Sequence, residues 1–163
     1  MIPTCQVFGK ISGRAAAAYA AEIHQYLPES DAAKTCAERA ETLLYRDVDA
    51  KALKEELAVH NQRFLLIRRT EEGLKSVKEK VDALREVLYN APLKANPEPE
   101  NLILDNLLTA TELMCTAALE RKESRGAHYR ADYPQRNDDT FEVPFVIEKQ
   151  EGTMTVKRYE NER

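Results

Sequence analysis

The chain has 163 residues, 24 basic and 28 acidic, for a formal net charge of -4. That length suits one domain whose core buries roughly 70% of its unfolded surface, and an acidic balance without a basic stripe argues against a nucleic-acid partner. No run reaches the ~18 consecutive apolar residues of a membrane span, and the N-terminus lacks the charged, apolar, small-residue order of a signal peptide, so a cytoplasmic protein without a transmembrane segment is expected.

In chain order, Pro3 suits a first helical turn, where its missing N–H is an orphan donor, and a long Ala-rich helix is predicted over residues 3–27, ended by Pro28. Inside it Gly9 and Gly13, four apart with Ser12 beside them, leave one face nearly bare, so that another backbone can approach closely. Each Gly costs about 1 kcal/mol against Ala in a helix, so packing must compensate. A second helix is predicted over 30–46 with Ser30 or Asp31 as N-cap and a weak apolar face of Ala33, Ala37, Ala40, Leu43 and Leu44. The third follows the cap Asp49 and carries Leu53, Leu57, His60, Phe64 and Ile67 at four- and three-residue steps, the pattern of a bundle seam. Thr70 caps a fourth with the seam Leu74, Val77, Val81, Leu84 and Leu88, opposite charged positions such as Lys75, Lys78 and Glu79.

The segment "APLKANPEP" has three prolines and reads as a connector. A fifth helix is predicted over 98–124 as the central one, because Leu104, Leu108, Thr111, Cys115 and Ala118 form one apolar or small stripe and Ile103, Leu107, Ala110, Met114 and Ala117 a second. Gly126 is placed to stop it in the left-handed conformation. After Pro134 two alternating runs flank Glu151-Gly152, which predicts a C-terminal β-hairpin that must lean on something to be stable.

Chemistry is sparse. The sequence contains no Gly-rich phosphate loop, His-Glu-x-x-His or Gly-x-Ser-x-Gly motif. Cys5, Cys36 and Cys115 are odd in number and widely spaced, which suits buried free thiols in a reducing compartment better than a metal site. The dense polar cluster follows the fifth helix: "ALERKESRGAHYRADYP" packs Glu123, Ser124, Arg125, His128, Tyr129, Arg130 and Asp132 into ten positions. Cations near a helix C-terminus are stabilised by its dipole, and arginine forks suit fixed carboxylates, so a structural docking role accounts for the cluster without a reaction.

That stretch resembles the Glu-Ser-Arg-Gly-Ala-His signature in the C-terminal region of the flavoprotein family containing succinate dehydrogenase, fumarate reductase and L-aspartate oxidase. Three more segments agree in order. "CQVFGKISGRAAAAYA" is similar to the family's helix after its flavin-contacting Gly-Asn-Ser-Leu segment, "IRRTEEGL" to its Arg-x-Glu-Glu-Gly-Leu stretch, and "FVIEKQEGTMTVKRY" to its closing hairpin. The resemblance implies a mainly α fold: a spectrin-repeat-like up-and-down three-helix bundle preceded by one or two helices, with a C-terminal β-hairpin. It divides the chain into residues 1–47 from the end of the flavin-domain region, the helical bundle at 48–134 and the hairpin tail at 135–163.

The resemblance also implies that the catalytic residues and the main FAD site lie in upstream domains, with no catalytic or metal residue here. Met1 and Ile2 occupy the family's flavin-contact positions but depart from its Ser and Leu, so this chain by itself is expected to bind no cofactor, with FAD in the complete enzyme. Asn61-Gln62 also departs from the Met-Trp of many members. The implied partners are a flavin-binding domain or subunit and an iron-sulfur subunit in an electron-transfer enzyme, with Gly9, Gly13, Glu123, Arg125, His128 and Arg130 as interdomain docking residues. Two alternatives stand beside this reading: a free-standing helical interaction module, and a metal site assembled from His24, His60 and His128.

Overall fold

The computed structural model describes residues 2–22, 31–150 and 153–158. Its chain divides into two compact units, Met1–Ala37 and Glu38–Arg163. The first contains helix α1 (Ile2–Glu22), with Pro3 in its opening turn, and the start of α2 (Asp31–Leu44). Every side chain described in this unit is exposed, including Val7, Phe8, Ile11 and Tyr19. A Cβ built on Gly9 or Gly13 would meet nothing within 4 Å. The predicted continuation of the first helix beyond Glu22 and the Ser30 cap lie outside the described residues.

The second unit is built on α3 (Ala50–Phe64), α4 (Glu71–Asn90) and α5 (Glu100–Glu120), each packed on the other two. Asp49 caps α3 by accepting from the Ala52 N–H at 3.0 Å, and Thr70 caps α4 by accepting from Gly73 N–H at 3.1 Å. These bonds satisfy orphan donors where the two predicted starts were placed. The α4 seam of Leu74, Val77, Val81, Leu84 and Leu88 is wholly buried. Burial of each such side chain contributes roughly 1.5–3 kcal/mol, which outweighs the ordinary propensity differences along the helix.

Two clusters make up the core. Leu43, Leu57, Leu84, Leu88, Leu104 and Leu108 anchor one; Leu65, Leu74, Val77, Cys115 and Ala118 form the other, toward the C-terminal end of α5. The proline connector and the first turn of α5 are tied to the end of α2: Asn101 Nδ2 donates to the carbonyls of Leu43 and Arg46, and Arg46 donates to Ala91 O. By length and composition alone α5 could cross a membrane, with a mean hydropathy of 1.4. Buried Asn101, Asp105 and Thr111 and its contacts with α3 and α4 mark it as a core helix of the bundle.

The hairpin pairs β3 (Phe145–Gln150) with β4 (Thr153–Arg158) in antiparallel register, from Phe145 opposite Arg158 to Gln150 opposite Thr153, and both strands lean on α5. Its turn at 151–152 lies outside the described residues. Three small elements carry no periodic signal in the sequence. Strand β1 (Arg68–Arg69) pairs in parallel with β2 (Tyr129–Arg130), and one turn of helix, α6 (Asp138–Phe141), is capped by Asn137 and buries Phe141.

Several expectations are corrected. Helix α2 ends at Leu44 rather than residue 46. Of the three cysteines expected to be buried only Cys115 is, because it sits on the inward face of α5, while Cys5 and Cys36 are exposed. Ile67 is 78% exposed because α3 ends at Phe64, so the seam spacing no longer places it inward. Helix α5 stops at Glu120, not Ser124, where Arg121 turns to extended backbone (φ −81°, ψ 92°). Gly126 does adopt φ +56°, yet it lies in a tight turn beyond the helix, between Arg125 and His128, whose backbones bond each other at 2.8 and 2.9 Å. Of the two α5 stripes, only the one through Leu104, Leu108 and Cys115 is buried; Ile103, Leu107 and Met114 are exposed, so α5 is apolar on more faces than the described bundle covers.

Candidate functional site

The polar segment after α5 folds back over the end of the bundle. Two charged side chains in it, Glu123 and Arg130, are fully buried. An isolated buried charge is very costly, so each must find saturating partners. Arg130 makes a bidentate pair with Asp132, both contacts at 2.8 Å, and donates through Nη1 to Ala118 O at 2.6 Å. Its guanidinium also lies 5.0 Å from the Tyr133 ring. Ala118 is in the last turn of α5, so Arg130 places its positive charge where the helix has orphan carbonyls and the negative end of its dipole.

Asp132 completes the link. Its Oδ2 accepts from the Glu71 N–H at 2.8 Å, at the start of α4. One ion pair therefore sets a cation on the C-terminus of α5 and an anion on the N-terminus of α4, each favourable to its helix. The Arg130 guanidinium holds the Asp132 carboxyl at about 2, well under the usual carboxylate range. The β1–β2 pairing runs alongside and fixes the segment: the Ala131 N–H donates to Arg69 O at 2.8 Å. Ser124 stitches the segment to itself, donating to the Tyr133 carbonyl and accepting from the Arg130 N–H.

Glu123 is the second anchor. Its Oε1 accepts from Arg121 Nη1 and Arg125 Nε, both at 2.7 Å; Oε2 accepts from the Asn137 N–H at 2.7 Å and Arg125 Nη2 at 3.2 Å. Burial alone would push its pKa up, but the hydrogen bonds from Arg125, Asn137 and Arg121 together outweigh that and hold it at about 2. Arg125 also donates to Asp138 at 2.6 Å, and these carboxylate contacts raise its own pKa further. Arg121 reaches Phe141 O and Val143 O at 2.8 and 2.9 Å and stacks 4.5 Å from the Phe145 ring, joining α6 and β3 to the end of α5.

His128 Nε2 lies 3.1 Å from Arg121 O, a carbonyl that can only accept, so this nitrogen carries the proton. Burial, with Arg69, Arg130 and Arg121 nearby, lowers its pKa, which keeps the ring neutral. The Ser124 hydroxyl is occupied by backbone partners rather than by His128. The cluster is thus a clasp of saturated ion pairs, and its guanidinium groups, committed to Glu123, Asp132, Asp138 and carbonyls, do not fit the donor set that a flavin dinucleotide needs.

Gly9 and Gly13 are on α1, while Met1 and the Ile2 side chain are outside the described residues. His24 is also outside them. His60 pairs with Ser76 Oγ at 3.1 Å and stacks 4.9 Å from Phe64. Among the described residues no group of three or more His, Cys, Asp or Glu could hold a metal. Sequence reasoning passed over Arg121 as a bridge and Asp138 as a carboxylate partner; the Asn137-Asp138-Asp139 run, a helix-start pattern, was the available signal.

Comparison with known proteins places this architecture. The family described as fumarate reductase flavoprotein C-term matches residues 54–162. An uncharacterized FAD-dependent oxidoreductase of Methanocaldococcus jannaschii is 34% identical over 138 residues, covering 82% of this chain and 25% of the relative. A fumarate reductase flavoprotein subunit of Mycobacterium tuberculosis is 31% identical over 179 aligned positions, covering 95% of this chain and 29% of the relative. A solved E. coli quinol fumarate reductase superposes with a TM-score of 0.75 at 23% identity, over 93% of this chain and 28% of that one, a likeness of fold. The chain thus spans a quarter to under a third of the length of these relatives. Three of the four segments resembling the family lie within the matched residues, and the chain belongs to the fumarate reductase flavoprotein C-terminal family.

Proposed function

We propose that this chain is the C-terminal helical part of an FAD-dependent oxidoreductase of the fumarate reductase and succinate dehydrogenase kind, and that it packs on and stabilises a flavin-binding domain. The reading rests on α1, whose described side chains are all exposed and whose Gly9 and Gly13 have open space above them. Most of a helix's stability in a protein comes from packing one of its faces, and two glycines cost this one about 1 kcal/mol each. Packing against another domain supplies the missing burial, and the absence of a Cβ at both positions lets a backbone come close. The exposed Ile103, Leu107 and Met114 stripe of α5 offers a second apolar face. The clasp keeps the bundle end rigid, with Arg125 and His128 at its partly exposed margin. FAD, the reacting groups and the electron-transfer partner, an iron-sulfur subunit, belong to the remainder of the enzyme.

Co-expression with the portion of the M. jannaschii oxidoreductase that this chain does not cover tests the proposal. The two polypeptides are expected to co-elute with flavin absorbance, and the α1 amides to become protected from hydrogen exchange. If the chain elutes alone and α1 exchanges as it does without a partner, the proposal fails and a free-standing interaction module takes its place.

A further inference from the structure

We infer that the cleft beside Arg69 receives a carboxylate side chain of the flavin-binding domain, an inference that rests on the reading just given. The cleft, about 380 Å³, lies between Leu65, Arg69, Met114, Arg121, His128 and Phe145. Its lining contains two guanidiniums and an imidazole but, among the described residues, no carboxylate. Arg121 is balanced by Glu123, and His128 is neutral and bonded to a carbonyl. Arg69 differs. Its polar partners are two carbonyls, Leu66 O at 2.9 Å and Ala127 O at a long 3.4 Å, and no carboxylate pairs with it among the described residues.

Arg39, Arg85, Arg121, Arg125, Arg130, Arg136 and Arg158 each have a carboxylate within 4.0 Å; among the described residues Arg14, Arg46, Arg63 and Arg68, like Arg69, show none, but none of these four lines the cleft. Arg69 is instead half-buried and repelled by Arg130, and both effects disfavour its charge. Since the chain carries a net charge of -4, this cationic cleft is not the by-product of a basic surface. A planar guanidinium with donors to spare matches a carboxylate, which would offset the desolvation already incurred.

The surroundings favour a protein segment over a small anion. Met114 in the cleft wall is 48% exposed, and Leu66 and Ile67, which follow the lining residue Leu65, are 51% and 78% exposed. An Asp or Glu flanked by apolar residues would fill the cleft and cover these side chains together, excluding water from the ion pair as the surroundings of a binding hot spot do. A small dicarboxylate would leave them wet.

The experiment measures affinity between this chain and the flavin-binding portion of the M. jannaschii relative at low and high salt. Arg69→Gln is expected to weaken binding roughly 30-fold or more, as truncation of one partner of a buried charge pair does, and to flatten the salt dependence. Ala117→Phe, which fills the cleft while keeping every charge, should weaken it comparably. Arg68→Gln, at an exposed neighbour, should stay within about threefold. Thermal melts confirm that the variants fold. Failure of the wild-type chain to bind would defeat the proposed function itself; wild-type binding that Arg69→Gln and Ala117→Phe leave unchanged would defeat only the carboxylate assignment. Two further results overturn it. One is Arg69-dependent binding of succinate to the chain alone at submillimolar concentration; the other is loss of the Arg69 dependence in a chain ending at Arg158, which would assign the cleft to its own Glu160 or Glu162.

Discussion

Replacing Glu123 with Gln isolates the charge at the centre of the clasp without changing its shape. The carboxylate accepts four hydrogen bonds, from Arg121, twice from Arg125 and from the Asn137 N–H. A glutamine carbonyl can serve one side of that set, but its NH2 then faces donors on the other. Loss of one partner of a buried ion pair costs about 3–5 kcal/mol. Here the cost is reduced because Arg121 keeps two carbonyls and Arg125 keeps Asp138, and both guanidiniums reach some water. We expect a loss of about 2–4 kcal/mol at neutral pH, or about 10 °C in melting temperature for a chain of this size. The pH dependence supplies the sharper check. Because the folded pKa of Glu123 is depressed from 4.5 to about 2, its contribution is complete above pH 4.5 and disappears as pH falls through about 2. Urea unfolding of both proteins at pH 7 and pH 3, followed by circular dichroism, should show the gap between them narrowing at the lower pH. A gap under about 0.5 kcal/mol at pH 7, or one unchanged at pH 3, would refute the assignment of a buried, ionised Glu123.

Arg130→Lys keeps the charge but loses the bidentate grip on Asp132 and the contact to Ala118 O, so about 2–4 kcal/mol should be lost in urea unfolding, with exchange rising at the end of α5 and the start of α4. Gly126→Ala meets no neighbouring atom, so its cost is the left-handed backbone alone, about 1–2 kcal/mol, and Gly126→Asn should recover part of it. Cys115 is buried, donates to Leu74 O, and has its thiol pushed up to about 11 by desolvation; at pH 8 a thiol reagent should modify exposed Cys5 and Cys36 rapidly and Cys115 only on unfolding. Leu108→Ala empties a fully buried site in the larger core cluster and should cost about 2–5 kcal/mol, measured the same way.

The helices of the bundle were legible where one interaction dominates locally. Asp49 and Thr70 announce α3 and α4 because a cap needs only its own next few residues, and the seam from Leu74 to Leu88 announces a buried face because its period is that of the helix. The C-terminal hairpin was legible by the same reasoning with a period of two. The end of α5 was not, since helix propensity continues past Glu120; the chain leaves the helix there because Arg130, ten residues later, returns to occupy the Ala118 carbonyl.

Residue types in the polar segment pointed to a cluster of charges near a helix end, and that much the sequence determined alone. Which charges are buried was decided by tertiary structure. Glu123 and Arg130 are ordinarily surface residues, and nothing in their spacing separates them from exposed Glu120 and Lys122. They are buried because the two-residue pairing of β1 with β2, across about sixty positions of chain, brings the start of α4, the end of α5 and the α6 turn around them. Two-residue strands have no periodicity to read, and the saturation of a buried charge depends on acceptors and donors that meet only when the fold closes.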